Sequence, residues 1–347
     1  MMSETVDVTG IGNAIVDVIY RTDDATVTRL GLPKAAMTLI DQEMSIELQK
    51  HMKACPRIQL SGGSAANTIA GLASLGAKVG YIGKVHDDWL GNVFRADMAS
   101  LGVRYATRPA TDGPATAHCL ILVTPDAQRT MNTYLGACVC LKVKDLDLEL
   151  IRSSSILYLE GYLFDPPNAQ EAFRFAARTA RSAGRRVALS LSDAFCVQRH
   201  RPALLDFIES YVDILFANET ELKTLAETDV WQVALAAVGR KVNFAAITRG
   251  ALGSVIVAGG RAISMPAAST PAVVDTTGAG DLYAAGVMFG LVTARSPEEC
   301  GWIGSLASAE IISHNGGRPE VPLNEYMAAR SDEIPTIVRH AQIKRSR

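Results

Sequence analysis

From residue 153 onward the chain alternates: β-rich runs at 156–159, 187–191, 214–216 and 244–248 are separated, over the first four, by amphipathic stretches of helical period. Strand–helix–strand alternation joins parallel strands through crossover helices, so it commits the chain to a mostly parallel sheet covered by helices. At 255–257 and 262–264 the rhythm changes to two short runs around Ala258-Gly259-Gly260, which reads as a hairpin. Helices follow Asp281 and span about 297–313. The N-terminal part is less regular: residues 7–20 read as a strand, 65–75 as a helix, 79–82 as a strand and 87–100 as a helix. Further β-rich pieces lie at 36–40, 103–107, 117–124 and 130–135, and no helix separates the last three. They predict a small second sheet protruding from the first. At 347 residues and 48% hydrophobic, the chain is long enough to bury a large core.

Several function classes are excluded early. A formal net charge of −2 leaves no broad basic surface for a nucleic acid or an anionic membrane, so the expected partner is a small molecule. The six cysteines form no CxxC, and a chain of this size needs no disulfide staples, which predicts a reducing, cytoplasmic setting. Residues 1–8 carry Glu4 and Asp7 and lack a basic n-region, so no signal peptide is expected. The longest nearly apolar run, 282–294, is too short to span a bilayer, and its two glycines suit close helix packing. No GxxxxGK[ST], HExxH, GxSxG or zinc-spaced Cys/His cluster occurs. Gly10 and Gly12 begin a GxG, but Ile15 stands where a dinucleotide fingerprint needs its third glycine. The basic tail, 339–347, reads as a frayed end.

The chemistry-bearing stretch is Asp275-Thr276-Thr277-Gly278-Ala279-Gly280-Asp281, which joins two turn-permissive glycines and an acid to an apolar helix. Free N–H groups at such a helix start point at an anion. Asp281 is either a helix cap or a carboxylate able to take a proton from an attacking hydroxyl. Ser61-Gly62-Gly63-Ser64-Ala65-Ala66-Asn67 is a second glycine-rich turn, where Ser64 is an ordinary cap or Asn67 an amide for a substrate hydroxyl. Asp17, a lone acid among apolar residues, could accept from two vicinal hydroxyls. Asn218 and Glu221 have capping-box spacing and, equally, oxygens suited to water around Mg²⁺. Thr248, Gly250 and Gly253 end a strand at the carboxyl edge, where α/β proteins bind ligands, and a plain turn accounts for them as well.

Taken in order, Gly62 to Asn67, Asn218-x-x-Glu221 and Asp275 to Asp281 resemble the ribokinase-like (PfkB) family of sugar and nucleoside kinases, over about residues 7–319. Residues 13–17 and 129–137 are most similar to the adenosine kinases of that family. The resemblance implies one α/β kinase domain over 1–347, a three-layer fold with a central mostly parallel sheet and a small β-sheet lid from segments near 13–45 and 103–137. It implies ATP-dependent phosphorylation of a nucleoside 5′-hydroxyl, most similar to purine salvage of adenosine, with a ribose- or fructose-type sugar kinase as the alternative and a non-catalytic nucleotide-binding regulator behind it. Asp281 would be the base, Gly278, Ala279 and Gly280 the anion hole, and Arg129 the lid cation over the phosphate. Asp17 would hold the ribose hydroxyls, with Asn13, Gly62, Gly63 and Asn67 around the sugar and Met131 by the base. Other candidate walls for a purine are Met37, Tyr134, Tyr162 and Phe164, beside the unexpectedly acidic Glu160 and Asp165. Asn218, Thr248, Gly250 and Gly253 would line the ATP site, Glu221 would organise Mg²⁺ through water, and Asp275 with Thr277 would hold K⁺. The resemblance allows a monomer or a homodimer.

Overall fold

A computed structural model describes residues 5–126 and 128–339; the basic tail beyond 339 lies outside the described residues. Its strands are β1 (Val6–Ile11), β2 (Ile15–Arg21), β3 (Met37–Leu39), β4 (Arg57–Gly62), β5 (Val79–Ile82), β6 (Ala117–Val123), β7 (Arg129–Tyr134), β8 (Ser154–Glu160), β9 (Arg186–Ser190), β10 (Ile214–Asn218), β11 (Phe244–Thr248), β12 (Ser254–Ala258) and β13 (Arg261–Met265). Eight of them form one sheet in the order β13-β12-β11-β10-β9-β8-β1-β5, and five form a second in the order β3-β7-β6-β2-β4. From β11 to β5 every pairing in the large sheet is parallel, and the expected hairpin adds β12 and β13 antiparallel at one edge.

Alternate residues of the large sheet feed two cores on opposite faces, which makes the architecture three-layered. Tyr158, Ala188, Phe216 and Ala246 pack with the Ser64–Ser74, Ala279–Val292 and Pro297–Ile311 helices. Leu157, Leu189, Ala217 and Ile247 pack with Pro167–Ser182, Ala194–Tyr211, Glu219–Ala226 and Trp231–Gly239.

Two differences from the sequence reading have clear causes. Residues 7–20 are not one strand: the chain leaves the large sheet after Ile11 and enters the small one at Ile15. Buried Glu160 accepts from Asn13 N at 3.3 Å and Asn13 Nδ2 at 2.7 Å, which holds the crossing open between the sheets. Residues 103–107 do not join the small sheet: Arg104 makes an isolated bridge to Gly80 on β5 of the large sheet, and Tyr105 packs its ring on Tyr81 and Phe94. Their place is taken by β4, whose apolar Ile58 and Leu60 are exposed and whose alternation is short.

The two glycines of the 282–294 run do bring helices together. A Cβ on Gly286 would lie 2.7 Å from Gly304 N and Cα on the neighbouring Pro297–Ile311 helix. Gly286→Val is therefore expected to cost about 2 kcal/mol through overpacking. The check is urea unfolding: the midpoint should fall, and an unchanged midpoint contradicts the close packing.

Candidate active site

The Ala279–Val292 helix begins on Gly278, whose φ of +79° suits glycine and which takes the N-cap position. Asp281 is thus the third helical residue and not the cap. Its Oδ1 accepts from Ser64 Oγ at 2.6 Å and its Oδ2 from Asn67 Nδ2 at 3.0 Å, so it reaches across to the start of another helix. Burial raises the Asp281 carboxyl above its ordinary range, against the pull of Ser64, Asn67 and Arg318. Of the expected anion-hole amides, that of Ala279 is engaged, donating to Thr276 O at 3.2 Å across the tight turn. Gly278 and Gly280 N–H groups have no acceptor among the described residues, nor has Asp281 N–H. A Cβ on Gly280 would meet nothing within 4 Å, so the space over these amides is open to a ligand.

Gly63, with φ of +94°, caps the Ser64–Ser74 helix, and a Cβ there would strike Asn13 O at 2.2 Å. Ser64, an expected cap, is instead free to donate to Asp281. The helix start is anchored by Glu160, whose Oε2 accepts from Ala65 N at 2.7 Å. Burial pushes the Glu160 carboxyl up to about 7, while its bonds from Ala65 and Asn13 pull the other way. Asp17 lies on β2 next to Gly62, half-buried, and no protein donor reaches its oxygens among the described residues. Its carboxyl is pushed up to about 6 by burial, opposed by Arg129 and Arg318.

Asn218 and Glu221 form the full capping box: Glu221 N donates to Asn218 Oδ1 at 2.8 Å and Asn218 N to Glu221 Oε2 at 2.9 Å. Burial raises the Glu221 carboxyl to about 7. No group of three His, Cys, Asp or Glu among the described residues could cage a metal. The donor set therefore fits Mg²⁺ held chiefly by phosphate oxygens and water, with Glu221 lining the same cleft. The expected K⁺ ligands Asp275 and Thr277 are bonded to one another here. Asp275 Oδ1 accepts from Thr277 N and Oγ1, and its Oδ2 from Arg129 and Gly316 N, which uses all four lone-pair directions. Burial works against the Asp275 charge, but Gly316, Thr277 and Arg129 outweigh it and hold the carboxyl below its ordinary value. Arg129, at the start of β7, thus ties the small sheet to the glycine-rich motif.

Three cavities adjoin here. The central one, about 440 Å³, is lined by Asp17, Gly63, Asn67, Asn218, Glu221 and Asp281. On one side it shares Ile15, Ser64, Met131, Thr133 and Tyr162 with a cavity of about 590 Å³, walled by Asn13, Met37, Leu39 and Phe195. On the other it shares Thr248, Ala279 and Gly280 with one of about 520 Å³, lined by Gly250, Gly253, Ala268, Val273 and Ile312. Met37, Met131 and Tyr162 therefore face a pocket, whereas Phe164 is core, stacked edge-on with Phe173 and Phe207, and Tyr134 packs its ring against His118. The acidity of 158–165 is consumed internally: Glu160 anchors backbone, and Asp165 pairs with Arg199 at 3.0 Å and His200 at 2.6 Å. Glu160 and Arg318 were not among the expected site residues, because each acts on partners far away in sequence.

Comparison with known proteins agrees with this geometry. The pfkB family carbohydrate kinase pattern matches residues 35–324. The chain is similar to the crystal structure of an adenosine kinase from Sinorhizobium meliloti, with 46% identity and a TM-score of 0.86, covering 95% of this chain and 100% of that one. It is similar to a probable sugar kinase from Rhizobium etli, with 43% identity and a TM-score of 0.86, covering 96% and 100%. Adenosine kinase 2 of Arabidopsis thaliana is 25% identical over 336 residues, 90% of this chain and 96% of that protein.

The raised Glu160 carboxyl makes stability depend on pH with a definite sign. Its folded value of about 7 exceeds the ordinary 4.5, so its contribution favours the fold at acid pH and is lost as pH rises through about 7. Glu160→Gln is expected to flatten the fall in thermal midpoint between pH 5 and 8, and an unchanged slope contradicts it.

Proposed function

The chain belongs to the pfkB family of carbohydrate kinases and is a kinase, and from that premise we propose that it transfers the γ-phosphoryl group of ATP to the 5′-hydroxyl of adenosine. The observation that carries this reading is Asp281, set beside unpaired helix-start amides where two larger cavities meet. A two-substrate transfer needs such a junction, with one pocket for each reactant and the base between them.

In this reading the Asp281 carboxylate takes the proton of the 5′-hydroxyl as that oxygen attacks the γ-phosphorus. The bond from phosphorus to the β–γ bridging oxygen breaks, and ADP leaves. Gly278 and Gly280 amides, beside the start of the helix dipole, stabilise the negative charge spread over the transferring group. Asp17, with no protein donor of its own, accepts from the ribose 2′- and 3′-hydroxyls, while Asn13, Gly62, Gly63 and Asn67 form the surrounding wall. Met37, Met131 and Tyr162 provide apolar faces for the purine in the 590 Å³ cavity, which is larger than a free pentose needs. Thr248, Gly250 and Gly253 line the opposite cavity for ATP. Asn218 and Glu221 orient the water around Mg²⁺, which supplies neutralisation of the phosphates when bound. Arg129 holds the small sheet closed over the motif and lends it positive charge, and the sheet acts as a lid that excludes water. No helix among the described residues is long and apolar enough to cross a membrane. We place the enzyme in the cytoplasm, working on small molecules, as monomer or homodimer.

The 43% identical probable sugar kinase supports a second reading with the same base and a sugar acceptor. ADP release with adenosine, inosine, guanosine, ribose and fructose separates the two. Adenosine should turn over best, and turnover of fructose without any nucleoside overturns the nucleoside reading. Asp281→Asn should lower kcat by more than about 10³-fold while adenosine still binds. Retained turnover in that variant removes the mechanism. Because the Asp281 carboxyl is raised, wild-type activity should fall on the acid side as pH drops through its value.

A further inference from the structure

Residues 316–318, between the Pro297–Ile311 and Leu323–Ala329 helices, enter the site from a third direction. Gly316 N donates to Asp275 Oδ2 at 3.1 Å. Gly317 packs so closely that a Cβ on it would lie 2.6 Å from Asn67 Nδ2, and one on Gly278 would lie 3.0 Å from Gly317 Cα. Arg318 Nε donates to Ser61 O at 3.0 Å and its Nη1 to Ala66 O at 2.9 Å, so the guanidinium brackets the turn between β4 and the Ser64–Ser74 helix. Its Nη2 has no hydrogen-bond partner among the described residues, the nearest carboxylate being Asp97 at 3.9 Å. The Arg318 side chain is only partly exposed and this nitrogen is buried; a buried nitrogen left unsatisfied is costly, and structural bracing alone does not call for a charge.

We propose that Arg318 is a positioning residue for phosphoryl transfer, which clamps Gly63, Ser64 and Asn67 in place against Asp281 and supplies positive charge to Asp17 and Asp281. The inference rests on the roles assigned above to those two carboxylates. The charged and titratable groups around it come from every packed element. Arg318 faces Asp97, Tyr81 on β5, Asp17 on β2 and Asp281. Asp281 also lies near Glu160 and Tyr158 on β8 and near Tyr162. Asp17 also lies near Arg129 on β7 and Cys119 on β6. Arg129 pairs with Asp275 and also acts on Asp17, whereas Arg318 acts on both Asp17 and Asp281. The far side of the loop is fixed by buried Glu310, whose Oε1 accepts from Glu320 N at 3.0 Å and Val321 N at 3.1 Å, so Arg318 is delivered on a braced segment.

The test is kcat/KM against pH for the full-length protein with whichever acceptor the wild type phosphorylates, comparing Arg318→Gln and Arg318→Lys. Arg318→Gln should fall about 100-fold through misplacement and lost charge, and its acid limb should move up by roughly one pH unit. Arg318→Lys keeps the charge but not the two-carbonyl bracket, so its acid limb should stay while kcat/KM falls about tenfold. A Gln variant within threefold of wild type, or one that loses activity with its acid limb unmoved, overturns the proposal. If the Gln variant does not fold, Arg318→Lys decides: wild-type kcat/KM, or a displaced acid limb, overturns it. Failure of the substrate reading is separate, since it appears in the wild type as an absence of adenosine turnover.

Discussion

The bond pair from Ser64 and Asn67 to Asp281 is the constraint on which the rest of the site depends. It requires two helix starts to meet side by side, and each start must be shaped so that its own side chains are not used in capping. Gly278 and Gly63 meet that requirement by capping with backbone alone. Asp281 is then free to face the cleft and Ser64 free to orient it. A side chain at either cap would also be strained, since both glycines have positive φ and a Cβ on Gly63 would lie 2.2 Å from Asn13 O.

The same meeting concentrates negative charge. Asp17, Glu160, Glu221 and Asp281 all lie around one cleft, and burial raises every one of them. The protein answers each differently. Glu160 is given three N–H donors and becomes a fixed anchor, and Glu221 is folded into a capping box. Asp17 is left without a donor, and Asp281 keeps two donors from across the cleft. Environment therefore separates four similar carboxylates into two held by backbone donors and two that face the cleft with fewer or no donors.

Much of this was legible in the chain. The 244–248 strand, the hairpin, the glycine-rich motif and the capping box all depend on neighbours within a few residues, and the structure has them where the local pattern put them. What escaped depends on distant partners. The break at Gly12–Ala14 is held by Glu160, 147 residues later, and nothing local marks it except the change from a continuous buried run in β1 to alternation in β2. Ser64 reads as a cap because its true acceptor is far off in the chain. Arg318 and Glu160 look like ordinary charges in sequence, since only the fold reveals that they are buried. Asp275 and Arg129 are expected to meet separate ligands, and the structure joins them to one another.

The Ser64–Asp281 contact spans 217 residues. During synthesis at about 5–20 residues per second, the Ser64–Ser74 helix would wait roughly 10–40 s for the helix it packs against. Ala65, Ala66 and Ile69 on that helix are bound for the core, and the part of their cover that comes from the Ala279–Val292 helix arrives only then. A nascent chain of this protein thus makes one wall of the cleft early and the wall that carries Asp281 late. The cleft is therefore closed from both of its helix starts only after the chain has passed Asp281.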